Sequence, residues 1–468
     1  MFKLFNHYLS IRTVLLASLE AALLFWSMIL GFRVRLPSEH LVPPYGEAAL
    51  YTLIMLITLS GLGLYQAHAE RFRITLIRLA VACTVSLLIS VAVFYFIPET
   101  HLGRGVMALT TLFALAGLTL VRLLFTKVSD LGLPKRRVLV VGNGAEAEQV
   151  LAFLGTGSAA RNVALAGLYP IGGSRRVDTA HAGIETVSSE PGPDLPSEAL
   201  AETLKRLKVS EVVIATRERR GGVLPLRQLL DARLQGIQVM DLQSFYEREA
   251  GILQLESMRA SWMIFGGGFD QSLGRDVVKR IFDILVSLAL LLITLPILLL
   301  AALAIVLESG APVFYSQMRV GQGGRLFKIT KLRSMRQDAE ADGKARWAST
   351  NDQRITRVGG FLRKTRIDEL PQIWAVLKGD MSFVGPRPER PEFVKTLTEH
   401  IPFYDARHSV KPGVTGWAQV KFWYGGSVED AIRKLEFDLY YVKNHSFFLD
   451  LLILLETVQV VLLGKGAR

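Results

Sequence analysis

Long apolar runs crowd the first quarter of the chain, at residues 14–32, 49–64, 74–97 and 106–125, and the longest comes much later, at 281–307. Each is close to the ~20 residues an α-helix needs to cross the hydrocarbon of a bilayer. Inside that layer every backbone N–H and C=O must be satisfied within the helix. Half of the chain is hydrophobic, and the excess is gathered into runs instead of being spread over periodic faces. The pattern predicts membrane helices with water-exposed parts attached. A first run this long, with no small-residue cleavage site behind it, reads as an anchor and not a signal peptide. The last run, 447–463, carries Asp450 and Glu456 and is expected to lie at the membrane surface or to pack on a domain.

Basic residues orient the helices. Lys3 and Arg12 precede the first run, Arg71, Arg73 and Arg78 surround the second loop, and Arg122, Lys127, Lys135, Arg136 and Arg137 follow the fourth run. The other loops hold mainly Arg33, Arg35 and Arg104, with acids nearby. Cytoplasmic loops carry the positive excess, so both ends of this four-helix transmembrane domain, residues 1–130, are expected in the cytoplasm. Glu20, inside the first run, is a functional candidate by default; we read it as a bundle-facing residue bonded to a neighbour and leave it out of the site.

The run at 281–307 obeys the same rule only if it turns back. Arg275, Lys279 and Arg280 precede it, and Arg319, Arg325, Lys328, Lys331, Arg333 and Arg336 follow it. A straight span would carry the second basic group outside. Pro296 lacks a backbone donor and its ring crowds the preceding turn, so a helix-break-helix over 277–308, entering and leaving on the cytoplasmic face, satisfies both constraints. The alternative is an ordinary fifth span.

Lys and Arg total 54 against 42 Asp and Glu, a formal charge of +12. That charge suits anionic partners, and membrane helices select lipid headgroups and phosphorylated substrates over nucleic acid. Cys83 is the one cysteine, which excludes intrachain disulfides and a cysteine metal centre. His400, His408 and His445 are too scattered to propose another metal site.

Between 135 and 250 short β-branched runs at 137–141, 164–168, 211–215 and 238–241 alternate with helical stretches. Such alternation predicts a parallel, doubly wound Rossmann-like domain. The turn Gly142-Asn143-Gly144-Ala145-Glu146-Ala147 could cradle a pyrophosphate. However, Tyr169-Pro170 stands where an acid would hold a ribose, and no Tyr-x-x-x-Lys pair of the nucleotide-sugar dehydratases and epimerases occurs. A structural or regulatory domain is expected over a working nucleotide site.

The densest polar signal is Arg363-Lys364-Thr365-Arg366-Ile367-Asp368-Glu369-Leu370-Pro371-Gln372. Residues 370–378 read as a helix closed by Gly379, with Asp368 as its N-cap and Pro371 in its first turn. Carboxylates at a helix N-terminus are favoured by its free N–H groups and dipole. Two acids among guanidinium groups could hold Mg²⁺ and a diphosphate together, although a capped surface helix with solvated charges fits equally well. Nearby, Lys328-Ile329-Thr330-Lys331-Leu332-Arg333-Ser334-Met335 alternates apolar and basic residues. The stiff turns Val384-Gly385-Pro386-Arg387-Pro388-Glu389 and Lys411-Pro412-Gly413-Val414-Thr415-Gly416-Trp417-Ala418-Gln419, the latter following Arg407 and His408, each offer a cation, an arrangement suited to phosphate binding.

Taken in order from about 271 to 463, these segments resemble the bacterial sugar transferases, the monotopic polyprenyl-phosphate phosphoglycosyl transferases. Four preceding helices and a Rossmann-like domain are similar to the large form of that family. The resemblance implies a mixed α/β catalytic domain over 271–468 that contains the re-entrant membrane helix. It implies transfer of a sugar-1-phosphate from a UDP-sugar to undecaprenyl phosphate, with release of UMP, to initiate an exopolysaccharide or O-antigen unit at the bacterial inner membrane. By the same resemblance Asp368 is the nucleophile and Glu369 its partner, the two serving Mg²⁺ as cofactor. Arg363 matches the family's Arg ahead of the dyad; Lys331, Arg333, Arg387 and Arg407 are looser assignments to phosphate binding. The family commonly has a hydroxyl residue directly before the helix-breaking proline, where this chain has Leu295 preceded by Thr294. Glucose or galactose as the sugar and a homodimer are expectations at the level of the family. Two other readings stand beside this one: a membrane-bound nucleotide-sugar dehydratase or epimerase, and a non-catalytic scaffold of polysaccharide assembly.

Overall fold

The computed structural model describes residues 2–4, 7–37, 42–65, 72–96, 103–130, 135–142, 144–155, 163–171, 197–216, 224–269, 272–337, 354–422 and 427–462. They divide into two compact units, one formed by Met1–Tyr65, Phe72–Gly117 and Gly267–Arg468, the other by Gln66–Arg71 and Leu118–Gly266. Asn143 of the glycine-rich turn, and Trp423 and Tyr424 of the aromatic stretch 422–424 whose sequence is expected to touch the bilayer surface, lie outside the described residues.

The first unit begins with a small hairpin, β1 (Phe2–Leu4) and β2 (His7–Leu9). Then come the helices α1 (Ile11–Arg35), α2 (Tyr45–Gly61), α3 (Phe72–Phe96) and α4 (Arg104–Asp130), the last of which belongs to this unit as far as Gly117. Three of these, α1, α3 and α4, are long and apolar enough to cross a membrane, and α2, at 17 residues, is shorter. Their sequences are apolar all round, so each can bury one stripe against its neighbours and leave another exposed. On α2 the stripe Tyr51, Met55 and Leu59 is buried while Leu53 and Ile57 are open, the spacing of a helix with two apolar faces. Glu20 is fully buried and accepts a 2.6 Å bond from the Tyr65 hydroxyl, the neighbour-bonded state expected of it.

The second unit is built on a four-stranded parallel sheet, β3 (Arg136–Gly142), β4 (Val163–Tyr169), β5 (Glu211–Ala215) and β6 (Gln238–Asp241), in the order β4-β3-β5-β6. Helices α5 (Ala145–Gly155), α6 (Ser197–Arg206), α7 (Leu226–Leu234), α8 (Leu242–Glu249) and α9 (Ala260–Phe265) alternate with or follow the strands. Val138 to Val141 are all fully buried, as expected of a central parallel strand covered on both faces. Gly142 ends that strand where a side chain would collide with the Ala215 carbonyl, which gives that glycine a packing reason independent of any ligand.

The first unit resumes with α10 (Leu273–Ser309). The break expected at Pro296 is not a gap: one helix runs through it. A proline removes a single donor, and the Thr294 hydroxyl bonds the Leu290 carbonyl at 2.7 Å, the back-bonding that bends helices without ending them. Around the proline Leu292, Ile293, Leu295, Leu299 and Leu300 are exposed. Both flanks of α10 are held by the folded unit. At one end Arg280 donates to the Val376 and Leu377 carbonyls, and Asp283 accepts from Ser382 and the Phe383 N–H. At the other end Ala301 and Ile305 pack with Leu332 and Leu362, each large side chain contributing about 1.5–3 kcal/mol by burial.

The rest is short elements packed around that helix. They are the antiparallel hairpin β7 (Phe314–Val320) and β8 (Leu326–Leu332), helices α11 (Arg357–Lys364) and α12 (Ile373–Lys378), and the parallel pair β9 (Ser382–Val384) and β10 (Gly413–Thr415). Helices α13 (Pro391–His400), α14 (Trp417–Lys421), α15 (Val428–Asn444) and α16 (Phe447–Leu462) complete it. α16 packs against α2, α14 and the β9–β10 pair, the domain-packed alternative of the two expected for this run.

Candidate active site

The acid pair sits on a 3-10 turn, Ile367–Gln372, between α11 and α12. Sequence pattern predicts an α-helix from 370 with Asp368 as N-cap. In the structure Arg366, at φ 59°, precedes the turn, and Asp368 lies inside it. Pro371 has no N–H to return to residue 367, so the tighter i to i+3 pattern takes over until Ile373. The left-handed backbone of Arg366, uncommon for a residue with a Cβ, sets the turn's direction.

The start of α11 is fixed from the membrane helix. The Glu308 carboxylate, one residue from the end of α10, accepts the Arg357 and Val358 N–H groups at 2.8 and 3.0 Å, and Thr356 caps the same turn through the Gly359 N–H. An acid at a helix N-terminus is the favoured placement. The membrane helix thereby anchors the element that leads into the acid pair.

Glu369 is clamped. Its Oε1 accepts from Lys331 Nζ and from Arg387 Nη2, each at 2.7 Å. Strand alternation explains the first contact: Phe327, Ile329 and Lys331 share one face of β8 and Leu332 turns to the opposite one. Burial alone would push the Glu369 carboxyl up, but Arg387 and Lys331 outweigh it and hold the group well below the usual carboxylate range.

Asp368 differs. It is 7% exposed, and its Oδ1 has no hydrogen-bond partner among the described residues. Burial, then the charge of Glu369, push its carboxyl above the usual range against the pull of Lys331, Arg363 and Arg366. One acid of the pair is locked as an anion; the other keeps an uncommitted oxygen in a cationic surrounding. Such an oxygen can attack an electrophilic phosphorus or ligate a hard cation.

Arg387 reaches the pair from a rigid loop. The Gly385 N–H bonds the Thr415 carbonyl and the Gly413 N–H the Pro386 carbonyl, and a side chain at Gly413 would collide with the Gly385 backbone. Two motifs distant in sequence thus cross as bare backbone, which explains the glycine in each. At the start of this loop Lys279 of α10 donates to the Val384 carbonyl at 3.0 Å and pairs with Asp450 of α16 at 2.5 Å.

The structure brings Lys331, Arg387, Asp368 and Glu369 together, and Arg363 adds its charge at Asp368 from the last turn of α11. Arg333 and Arg407 are placed differently. Arg333, 6% exposed, donates from Nη2 to the Ser309 carbonyl and hydroxyl and to the Gly310 carbonyl, a cation on the C-terminal carbonyls of α10. Arg407 pairs with Asp438 at 2.7 Å, donates to the Tyr404 hydroxyl, and holds the Arg387 carbonyl at 2.9 Å. Sequence reasoning missed Asp438 and Tyr404, which sit outside the motifs. For Mg²⁺ the candidate donors are Asp368 Oδ1 and Glu369 beyond its clamped Oε1. No cluster of three or more His, Cys, Asp or Glu occurs among the described residues. A carboxylate pair fits an ion that takes one or two carboxylates and completes its shell with water and substrate phosphate.

These features define a protein with apolar membrane helices and an asymmetric acid pair ringed by cations. Residues 274–464 match the family model described as bacterial sugar transferase. The chain is 49% identical over 191 residues to a UDP-N-acetylgalactosamine-undecaprenyl-phosphate N-acetylgalactosaminephosphotransferase of Aeromonas hydrophila, covering 41% of this chain and 45% of that one. It is 42% identical over 193 residues to a UDP-glucose:undecaprenyl-phosphate glucose-1-phosphate transferase of Escherichia coli (strain K12), covering 41% of each. A sugar transferase, EpsL, of Bacillus subtilis (strain 168) is 41% identical over 196 residues, which are 91% of its length and 41% of this chain. The matches span less than half the length of the first two relatives. This chain belongs to the bacterial sugar transferase family.

Proposed function

We propose that this chain is an undecaprenyl-phosphate sugar-1-phosphate transferase that takes its phosphosugar from a UDP-sugar and releases UMP. The observation that carries the reading is the asymmetry of the pair: Asp368 Oδ1 is buried without a partner among the described residues, beside a Glu369 pinned by Lys331 and Arg387. An Asp368 oxygen attacks the sugar-bearing phosphorus and the anhydride bond to the second phosphorus breaks, with its electron pair leaving on UMP. An oxygen of the lipid phosphate then attacks the same phosphorus, the acyl phosphate bond breaks, and Asp368 returns as a carboxylate. Mg²⁺, held by Asp368 and the free side of Glu369, would neutralise diphosphate charge. Arg363 and the exposed side of the Lys331–Arg387 clamp meet the phosphates, while Arg407 holds Arg387 in register.

The same reading places the reaction at the inner leaflet of the bacterial inner membrane, with α10 re-entrant. A straight helix from Arg280 to Ser309 would separate its ends by about 44 Å, beyond the ~30 Å hydrocarbon, yet both ends are bonded to the unit that carries the acid pair. The parallel sheet between 135 and 250 is read as a Rossmann-like domain without a catalytic share, because Glu146 and Glu148 occupy the first turn after its glycine-rich loop, where a phosphate would sit. The product begins an exopolysaccharide or O-antigen unit. Purified protein incubated with Mg²⁺, undecaprenyl phosphate and a panel of UDP-sugars tests the reading. Release of UMP with formation of a lipid diphosphosugar supports it; release of UDP, or no lipid product from any donor, refutes it.

A further inference from the structure

Gln372 closes the 3-10 turn that carries the acid pair. It is 3% exposed, and its side-chain amide nitrogen has no hydrogen-bond partner among the described residues. Buried polar side chains are nearly always paired, and an unpaired amide opposes folding by the full loss of its hydration. A hydrocarbon side chain of the same shape would fill the position without that cost.

The turn's geometry indicates which group the amide serves. At three residues per turn, positions i and i+3 eclipse, so Gln372 stands in the row of Glu369 and Asp368 in the row of Pro371. Glu369 spends Oε1 on Lys331 and Arg387. Beside it, the row offers an amide donor and the adjacent row an Asp368 oxygen, neither with a hydrogen-bond partner among the described residues. Two buried polar groups of opposite kind, without hydrogen-bond partners among the described residues and on neighbouring rows of one short turn, suit a ligand that both accepts a hydrogen bond and takes a nucleophile. A phosphoryl group does both.

We propose that Gln372 is a substrate-contact residue whose amide donates to a non-bridging oxygen of the phosphorus that Asp368 attacks. The inference rests on the transfer reading above. A neutral donor suits the position: it stabilises charge developing on that oxygen without competing with Lys331 and Arg387 for Glu369. Gln372 neither gains nor loses a proton, and no bond to it forms or breaks.

The test is Gln372→Met in the full-length protein, which keeps length and shape but removes the donor. Turnover is measured with Mg²⁺, undecaprenyl phosphate and the UDP-sugar that gives the highest wild-type rate; melting temperature is measured on the same preparation. The expected result is a fall in kcat/KM of about 10²–10³-fold, the loss that follows removal of one transition-state donor, with a melting temperature equal to or above wild type. Turnover within about twofold of wild type overturns the proposal. So does a fall in turnover accompanied by a lowered melting temperature, because that is the mark of a packing residue. Wild-type protein is the control that separates the two readings: if it forms no lipid product the transfer reading fails and this inference with it, and if it is active while the Met variant matches it, only the inference fails.

Discussion

Asp368 and Glu369 are neighbours in sequence and opposites in environment. The Glu369 carboxylate takes two charge-assisted bonds at 2.7 Å, whereas Asp368 Oδ1 is buried with none among the described residues. The division follows from the turn between them, since adjacent residues of a 3-10 turn point about 120° apart. Glu369 meets β8 and the Arg387 loop, and Asp368 is left facing its own row. A pair so divided keeps one acid for structure and charge balance and the other for chemistry.

Asp368→Asn is therefore expected to abolish turnover, by at least about 10³-fold, without loss of fold. The raised pKa of Asp368 means that the folded state holds its proton more tightly than the unfolded chain, so its ionisation withdraws stability as pH rises. The amide removes that charge, and the variant should melt at or above the wild-type temperature at neutral pH. Turnover and melting temperature on one preparation check both parts.

Glu369→Gln should behave differently. It leaves Lys331 and Arg387 without their shared anion and is expected to cost about 1–3 kcal/mol of folding stability as well as activity. The folded-state pKa of Glu369 is depressed, so its stabilisation is present above the ordinary glutamate range and is lost as pH falls through the native value. The stability gap between wild type and variant should persist through mildly acidic pH and close only in strong acid, as followed by denaturant unfolding across pH.

Activity requires Asp368 ionised, so the acid limb of kcat/KM is expected above the ~3.9 of an ordinary aspartate. Lys331, Arg363 and Arg366 favour the ionised form. Arg363→Gln removes one of them and should move the acid limb to higher pH, whereas a residue that only packs would leave the limb in place.

Breaking the Arg407–Asp438 pair tests a strut. Both side chains are at most 5% exposed, and removal of one partner of a buried ion pair typically costs about 3–5 kcal/mol. Asp438→Asn and Arg407→Ala should each lower stability by that order, with activity falling as the Arg387 loop loosens. Combining the two changes should cost less than their sum, because neither charge is then left unpaired; a double-mutant cycle in thermal unfolding measures this.

For α10, cysteines placed at Ser272 and Gln337 in a Cys83→Ser background are expected to react with an impermeant maleimide from the cytoplasmic side alone. Labelling of the Gln337 position from outside would exclude a re-entrant helix.

Much of this was readable in the chain. Runs such as 72–96 carry their helix in composition alone, Asp368, Glu369 and Arg387 announce themselves as charges beside glycines and prolines, and Lys331 as a cation in a stretch that alternates apolar and basic residues. What sequence conceals is the partner of a charge when that partner lies far away. Arg333 and Arg407 look like Lys331 and Arg387 in their motifs, yet Ser309 and Asp438, 24 and 31 positions distant, take up their guanidinium groups. Pro296 was equally ambiguous, because a proline licenses both a break and a bend, and the structure carries one helix through it. Gln372 was invisible as a site residue, since nothing in a sequence says that a glutamine will be buried without an acceptor.

A phosphosugar carried on Asp368 is detectable by rapid acid quench. Protein is mixed with UDP-sugar labelled at the sugar-bearing phosphorus, without undecaprenyl phosphate, then digested and examined by mass spectrometry. The expected result is a phosphosugar on the peptide containing Asp368, cleaved by hydroxylamine, lost in Asp368→Asn, and discharged when undecaprenyl phosphate is added. Lipid product accumulating at full rate while no labelled peptide is found at any quench time would contradict it.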